Sequence, residues 1–280
     1  MIHKIYTYDN LIYDLIKINT FKKFLSFKSI GKSVNNKDIF LIKAGNGARK
    51  ILVICGHHSL ETIMSEFICD YLTNKEKDFF DKVSFYAIPL LNPDGVDFLT
   101  GRINIPAFVE YRERWQANFN GVDLNHNYDA GFLKAREAVE NEEIFAPYFT
   151  KYGGEYPFSE PETQAVKNLC ERTAFDLAIA FHTQGKEIYS GYDGIIPLGT
   201  EELTRIFAEC SGYTPSIPSK TASHAGFKDW FIKTYNKPAF TIEAGIGKNP
   251  LYHSQYGQIK EDCTKILDSA VKFFSSSNPC

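Results

Sequence analysis

Two histidines and two glutamates stand where metal-assisted hydrolysis could use them. The first pair lies in Gly56-His57-His58-Ser59-Leu60-Glu61, directly after the apolar run ILVIC. An HxxE pair holds an imidazole and a carboxylate about one turn apart, and both are suitable zinc ligands. His182 follows the run AIAF, and Glu243 follows AFTI. The HxxE pair directly follows a strand-like segment and begins a helix, while His182 and Glu243 end such segments, and open α/β sheets bind ligands along the C-terminal edge of their strands. Catalytic zinc generally takes three protein ligands and a water, so His182 could complete the set. A carboxylate next to an activated water can take its proton and pass it to a leaving amine, which suits Glu243. Taken singly, each feature has an ordinary alternative: a chance HxxE pair, a hydrogen-bonded strand-end histidine, a solvated strand-end glutamate.

The elements that must position these residues follow from periodicity. Residues 38–43 (DIFLIK) and 50–55 (KILVIC) read as strands joined by the Gly-rich turn AGNGAR. Residues 59–72 are helical by spacing, with Leu60, Ile63, Met64, Phe67, Ile68 and Tyr71 three and four apart. Residues 83–88 form a strand ending at Pro89, and 102–121 form a long connection without a period. Ser159-Glu160-Pro161-Glu162 predicts a helix start, with Ser159 as N-cap and Glu162 closing a capping box. Strands are expected at 175–181 and 239–242, and helices at 200–209, 226–234 and 258–273. With no repeat and no low-complexity linker, the economical reading is one α/β domain over residues 1–280, the segment 6–45 included.

Composition excludes several classes. The chain has 280 residues, 44% hydrophobic and 23% charged, enough for one large core and too few charges for wholesale disorder. A net charge of −3 with no basic stripe argues against nucleic acid and membrane partners. Cys55, Cys69, Cys170, Cys210, Cys263 and Cys280 form no close pair, so a thiolate zinc site has no support and buried or incidental thiols are expected. The N-terminus lacks a signal h-region, and the longest apolar runs reach only five residues. These features place the protein in the cytoplasm.

The order GHHSLE (56–61), NPDG (92–95), GVDLNHN (121–127), FHT (181–183) and TIE (241–243) resembles the zinc carboxypeptidases related to carboxypeptidase A. The segment SIGKSVNNKDIFLIKAGNG is similar to that family's usual entry, and the resemblance runs from about Tyr6 to Leu251. It implies a central mixed, largely parallel twisted sheet flanked by helices. It implies Zn2+ held by His58, Glu61 and His182, with Glu243 as the glutamate that activates the zinc-bound water. It further implies that Asn125 holds a substrate carboxylate, while His57 is a neighbour of the site and not a ligand.

Departures from the family pattern point to the substrate. The family's arginine after the asparagine is His126 here, so a guanidinium fork for a terminal α-carboxylate is missing at this position. The tyrosine expected shortly before the DW pair is absent. Alignment on Trp115 puts Gln116 where the family carries its electrophilic arginine, with Arg112 and Arg114 close by. The strings WQANFNGVDLNHNYDAGF, GGEYPFSEPET, AFHTQGKEIY and AGFKDWF resemble bacterial γ-D-glutamyl-meso-diaminopimelate peptidases. A peptide or muropeptide substrate follows, cut between D-glutamate's side-chain carboxyl and diaminopimelate. Arg102, Arg112, Arg114, Lys220 and His126 are candidate partners for its carboxylates, Arg114 foremost. The chain has no room for LysM repeats, which suggests work on imported or recycled muropeptides. Three alternatives stand beside this reading: a carboxypeptidase releasing C-terminal L-amino acids, an amide deacylase of N-acyl amino acids, and a non-catalytic binding protein.

Overall fold

Strand β3 (Arg49–Cys55) carries five consecutive residues, Ile51 to Cys55, that are fully buried. A strand apolar on both faces belongs in the middle of a sheet with helices on either side. The computed structural model, which describes residues 3–276, shows that arrangement. One sheet of eight strands is formed by β1 (Leu25–Lys32), β2 (Asp38–Ala44), β3, β4 (Val83–Ile88), β5 (Leu177–His182), β6 (Glu187–Ser190), β7 (Thr214–Ser216) and β8 (Ala239–Glu243). Their order is β1-β2-β4-β3-β5-β8-β6-β7. Strands β4, β3, β5 and β8 are mutually parallel, and antiparallel β1–β2 and β6 flank them.

Among the described residues, eight α-helices cover the sheet: α1 (Tyr8–Phe21), α2 (Ile63–Asn74), α3 (Pro93–Leu99), α4 (Phe132–Glu140), α5 (Pro161–Arg172), α6 (Thr200–Ser211), α7 (Phe227–Tyr235) and α8 (Tyr256–Ser276). Ile51, Val53 and Cys55 face one core, packed with Leu11, Leu15, Phe67, Phe207 and Ile266 from α1, α2, α6 and α8. Leu52 and Ile54 face the other, with Val166 of α5 and Phe227 and Trp230 of α7. Each such aliphatic side chain stabilises the fold by about 1.5–3 kcal/mol. Both faces are therefore anchored, and the C-terminal strand ends between them are fixed.

Local departures from the sequence expectations have tertiary causes. The helix expected from Ser59 begins at Ile63, and Ser59–Glu61 make a single 3-10 turn. Ser59 gives its hydroxyl to Trp115 O and its N–H to Gln116 O, which holds that turn against another loop. The capping box at Ser159 does not form. Helix α5 starts at Pro161 with Glu160 as its N-cap and no side-chain cap bond. Ser159 bonds Glu160 and Asn127 instead, and Glu162 accepts from Val34 N at 3.1 Å and from Asn118 Nδ2 at 3.2 Å. The connection over 102–121 contains a 3-10 segment, Pro106–Arg114. No disulfide joins the described cysteines: Cys55, Cys69, Cys170 and Cys263 are buried thiols, Cys210 is half-buried, and Cys280 lies outside the described residues. Among the described residues, no helix is long and apolar enough to cross a membrane.

Candidate metal centre and active site

The parallel strands deliver the site residues to one edge. Past the end of β3, Gly56 turns with φ +70, and a Cβ there would lie 2.8 Å from Leu90 Cδ1. Asn92 holds the next stretch in place. Its amide donates to the carbonyls of His57, Gln116 and Ala117, and its Oδ1 accepts from Gly95 N. The NPDG segment therefore joins the loop carrying His58 to the loop carrying Gln116. Asp94 of the same segment accepts from Ser33 Oγ and Asn35 N, which ties in the β1–β2 turn.

His58, Glu61 and His182 offer ligand atoms that all lie within 4.8 Å of one another, and all three are largely buried. His58 Nδ1 is 3.0 Å from Glu61 Oε1, and His182 Nδ1 is 2.9 Å from Glu61 Oε2. The two Nδ1 atoms are 3.3 Å apart. Two imidazole nitrogens and a carboxylate, converging from a strand-edge turn and a strand end, are a donor set suited to zinc. Burial opposes the Glu61 charge, but His58 and His182 outweigh it and hold the carboxyl down to about 2. Glu61 is thus ionised throughout the neutral range, as a ligand must be.

Behind His58 stands Asp123, whose Oδ1 is 3.0 Å from His58 Nε2. Asp123 is 1% exposed, and it also accepts from Lys151 N at 2.8 Å and Asn125 N at 3.1 Å. A carboxylate on the far nitrogen of a ligating histidine fixes its tautomer and raises its basicity. Sequence reasoning passed over Asp123, although it stands two residues before Asn125 in the GVDLN motif. Asn249 was also missed: its amide donates to Thr183 O at 2.8 Å and reaches Glu61 Oε1 at 3.4 Å. Nothing in the local sequence singles it out.

His57 is fully buried, with Nε2 3.1 Å from Tyr128 Oη and its ring stacked on His182 at 5.2 Å. Burial, with His182 and His58 beside it, holds its pKa well below the ordinary value, so the ring is neutral. Glu243 ends β8 in register with His182 on β5. Burial pushes its carboxyl well up, Glu61 and Glu187 push the same way, and His58 opposes them.

Most of the remaining expected residues are held by partners of their own. Asn125 Oδ1 accepts Phe227 N, the first residue of α7, at 3.0 Å. His126 Nε2 faces Thr221 O at 2.9 Å, and its Nδ1 lies 3.3 Å from Asp123 Oδ2. Gln116 Oε1 accepts from Thr150 Oγ1. Arg114 lays its guanidinium over the rings of Tyr111 and Phe149, at 5.7 and 4.8 Å. Arg112 stacks on Phe98 and donates to Asn104, and Arg102 pairs with Asp9 at 2.7 Å. Lys220 belongs to the short 3-10 turn Lys220–Ala222.

Comparison with known proteins shows the family and the fold. Residues 15–269 match the model of the family described as zinc carboxypeptidase. A γ-D-glutamyl-L-diamino acid endopeptidase 1 of Lysinibacillus sphaericus is 33% identical over 290 residues, covering 94% of this chain and 71% of the relative. Bovine carboxypeptidase B is 26% identical, covering 90% of this chain and 65% of its own length. The solved structure of bovine thrombin-activatable fibrinolysis inhibitor superposes with a TM-score of 0.78 at 19% identity, covering 97% of this chain and 98% of that one. The murein-tripeptide amidase MpaA of Escherichia coli O157 superposes with a TM-score of 0.57 at 19% identity, covering 91% and 93%. The chain belongs to the zinc carboxypeptidase family and is a metallopeptidase.

Proposed function

We propose that this peptidase cuts the γ-D-glutamyl–diaminopimelate bond of murein peptides, with zinc held by His58, Glu61 and His182. The observation that carries the reading is the row formed by His182 and Glu243 on neighbouring strand ends, beside His58 and Glu61. The Lysinibacillus relative, whose name gives a γ-D-glutamyl bond to a diamino acid, supports the substrate class. The five described cysteines are all unpaired, which fits a reducing compartment, and a cytoplasmic site of action is part of the proposal.

Zinc in this donor set supplies a Lewis acid and brings a water's pKa to about 7. Asp123 keeps the His58 ring oriented. Glu243 takes a proton from the attacking water as its oxygen adds to the γ-carbonyl carbon. It then returns that proton to the amine of diaminopimelate as the C–N bond breaks. Asn125, whose Nδ2 makes no hydrogen bond among the described residues, can donate to a substrate carboxylate oxygen. His126, enclosed between Asp123 and Thr221 O, helps shape that wall. Gln116 and Arg114 lie on the loop bonded to Ser59 and complete the acyl side.

Mass spectrometry of L-Ala-γ-D-Glu-meso-diaminopimelate after incubation with zinc-loaded protein tests this. The expected products are L-Ala-D-Glu and free diaminopimelate. An intact tripeptide, alongside steady trimming of C-terminal L-amino acids from ordinary peptides, would replace the proposal with a plain carboxypeptidase.

A further inference from the structure

We infer that Glu187 is a specificity-determining residue that pairs with an ammonium group on the side chain of the leaving residue. This rests on the proposed reading of Glu243 as the group that returns a proton to the leaving amine.

Register places His182, Glu243 and Glu187 side by side on β5, β8 and β6. Partners in register present their side chains to the same face. Adjacent strands are about 4.8 Å apart, so Glu187 stands about 5 Å beyond Glu243 and about 10 Å from His182. The triad closes the row on one side, and Glu187 closes it on the other. An amine that collects its proton at Glu243 brings its own residue over the neighbours of Glu243. Those on the side away from the triad are Glu187 and, two residues along the same face of β6, Tyr189.

The carboxylate is held ready for a cation. Tyr189 Oη donates to Glu187 Oε2 at 2.5 Å, which fixes one oxygen and leaves acceptor capacity on the other. Among the described residues, no lysine, arginine or histidine forms an ion pair with Glu187. Lys186, next in the chain, is turned to Asp262 at 3.2 Å. Gly185, at φ +145, makes the space: a Cβ there would lie 3.1 Å from Glu187 Oε2. Like charges directly opposite in an antiparallel pair are destabilising, and a cation supplied by the substrate relieves that repulsion. The ligand class is thus a residue whose side chain ends in an ammonium. Lysine and diaminopimelate both qualify, and diaminopimelate adds a carboxylate.

The test compares L-Ala-γ-D-Glu-X, where X is meso-diaminopimelate, L-lysine or L-norleucine, which has lysine's chain without its ammonium. Wild type is expected to favour lysine over norleucine in kcat/KM by about 10–100-fold, the range of a charge-assisted hydrogen bond, mostly through KM. Glu187→Gln should reduce that ratio to near one. Any general effect on Glu243 falls on all three substrates equally and leaves the ratio untouched. A wild-type ratio near one, or a Glu187→Gln ratio within twofold of wild type, overturns the assignment. Failure of the γ-glutamyl reading looks different: wild type then cleaves none of the three. Calorimetric binding of free lysine and norleucine to the zinc-loaded proteins still decides the role of Glu187 in that event. Wild type is expected to bind lysine at least tenfold more tightly and Glu187→Gln to bind both alike; equal binding by wild type overturns the inference.

Discussion

Replacing Asp123 by Asn separates a ligand-orienting role from a purely architectural one. The carboxylate has acceptors on both oxygens: Oδ1 for His58 Nε2 and Asn125 N, Oδ2 for Lys151 N. An amide offers one oxygen only. If that oxygen stays on His58, the NH2 group meets the Lys151 N–H, donor against donor. If the amide flips, the NH2 meets the His58 Nε2–H instead. The flip also turns the NH2 onto Asn125 N and so loses two hydrogen bonds, which makes the unflipped orientation the cheaper one, at the cost of one charge-assisted hydrogen bond, about 1.5–3 kcal/mol. For a chain of this size that corresponds to a fall in Tm of several degrees, at about 2–4 °C per kcal/mol. Weakening the partner of a ligating histidine typically costs about 10–100-fold in metal affinity, or about 1.4–2.8 kcal/mol. Competition with a chromophoric chelator at pH 7.5, run alongside thermal melts, measures both quantities. The expected result is zinc affinity down at least tenfold together with a modest fall in Tm. If the melts shift as calculated while zinc affinity stays within twofold of wild type, Asp123 is only a loop anchor and the orienting argument is wrong.

Three further outcomes are expected. Glu243→Gln should keep zinc near one equivalent by metal analysis while kcat falls by about 10²–10⁴-fold or more; near-normal turnover would remove Glu243 from the proton path. Lys228, nearly buried, donates to Gly191 O at 2.7 Å and to Asp229, so Lys228→Met strands a buried carboxylate. The expected loss is about 3–5 kcal/mol by denaturant titration, partly restored in Lys228→Met/Asp229→Leu, and a loss below about 1 kcal/mol refutes it. Burial lifts the Glu162 carboxyl to about 8, above its ordinary 4.5, so the native state binds a proton the unfolded chain has released. Between those two values stability falls as pH rises, and Glu162→Gln lacks that slope; parallel Tm–pH curves for the two proteins from pH 5 to 9 would count against it.

How much was legible in the sequence depended on whether a signal was local. Strands β3, β4, β5 and β8 are buried on both faces, so their apolar runs marked them to within a residue or two. The edge strands β1 and β7, and β6 beside β7, are short or half-exposed and carry no such run. Helices α3 and α4 are only seven and nine residues long, too short for a clear helical period. The box expected at Ser159 had the right letters, but Asn127 and Asn118 claimed those side chains from more than thirty residues away. Strand ends put His58, Glu61, His182 and Glu243 at one edge, which the order of motifs anticipated. Asp123, Asn249 and Glu187 matter through partners distant in the chain or across strands, which no local pattern encodes.

The gathering of these groups at the ends of neighbouring parallel strands and in the loops beside them also governs how the site comes apart. His58, Asp123, His182 and Glu243 lie up to 185 residues apart in sequence, from 58 to 243, yet meet at one edge of the central sheet. No fragment short of most of the chain can bring them together, so the site has a high contact order and assembles late in folding. By the same logic, fraying of α1 or of the β6–β7 edge leaves the His58–Glu61–His182 set intact, whereas separation of β3 from β5 destroys it. Loss of bound metal should therefore track global unfolding and not local opening, which makes metal release a reporter of the whole sheet's cooperativity.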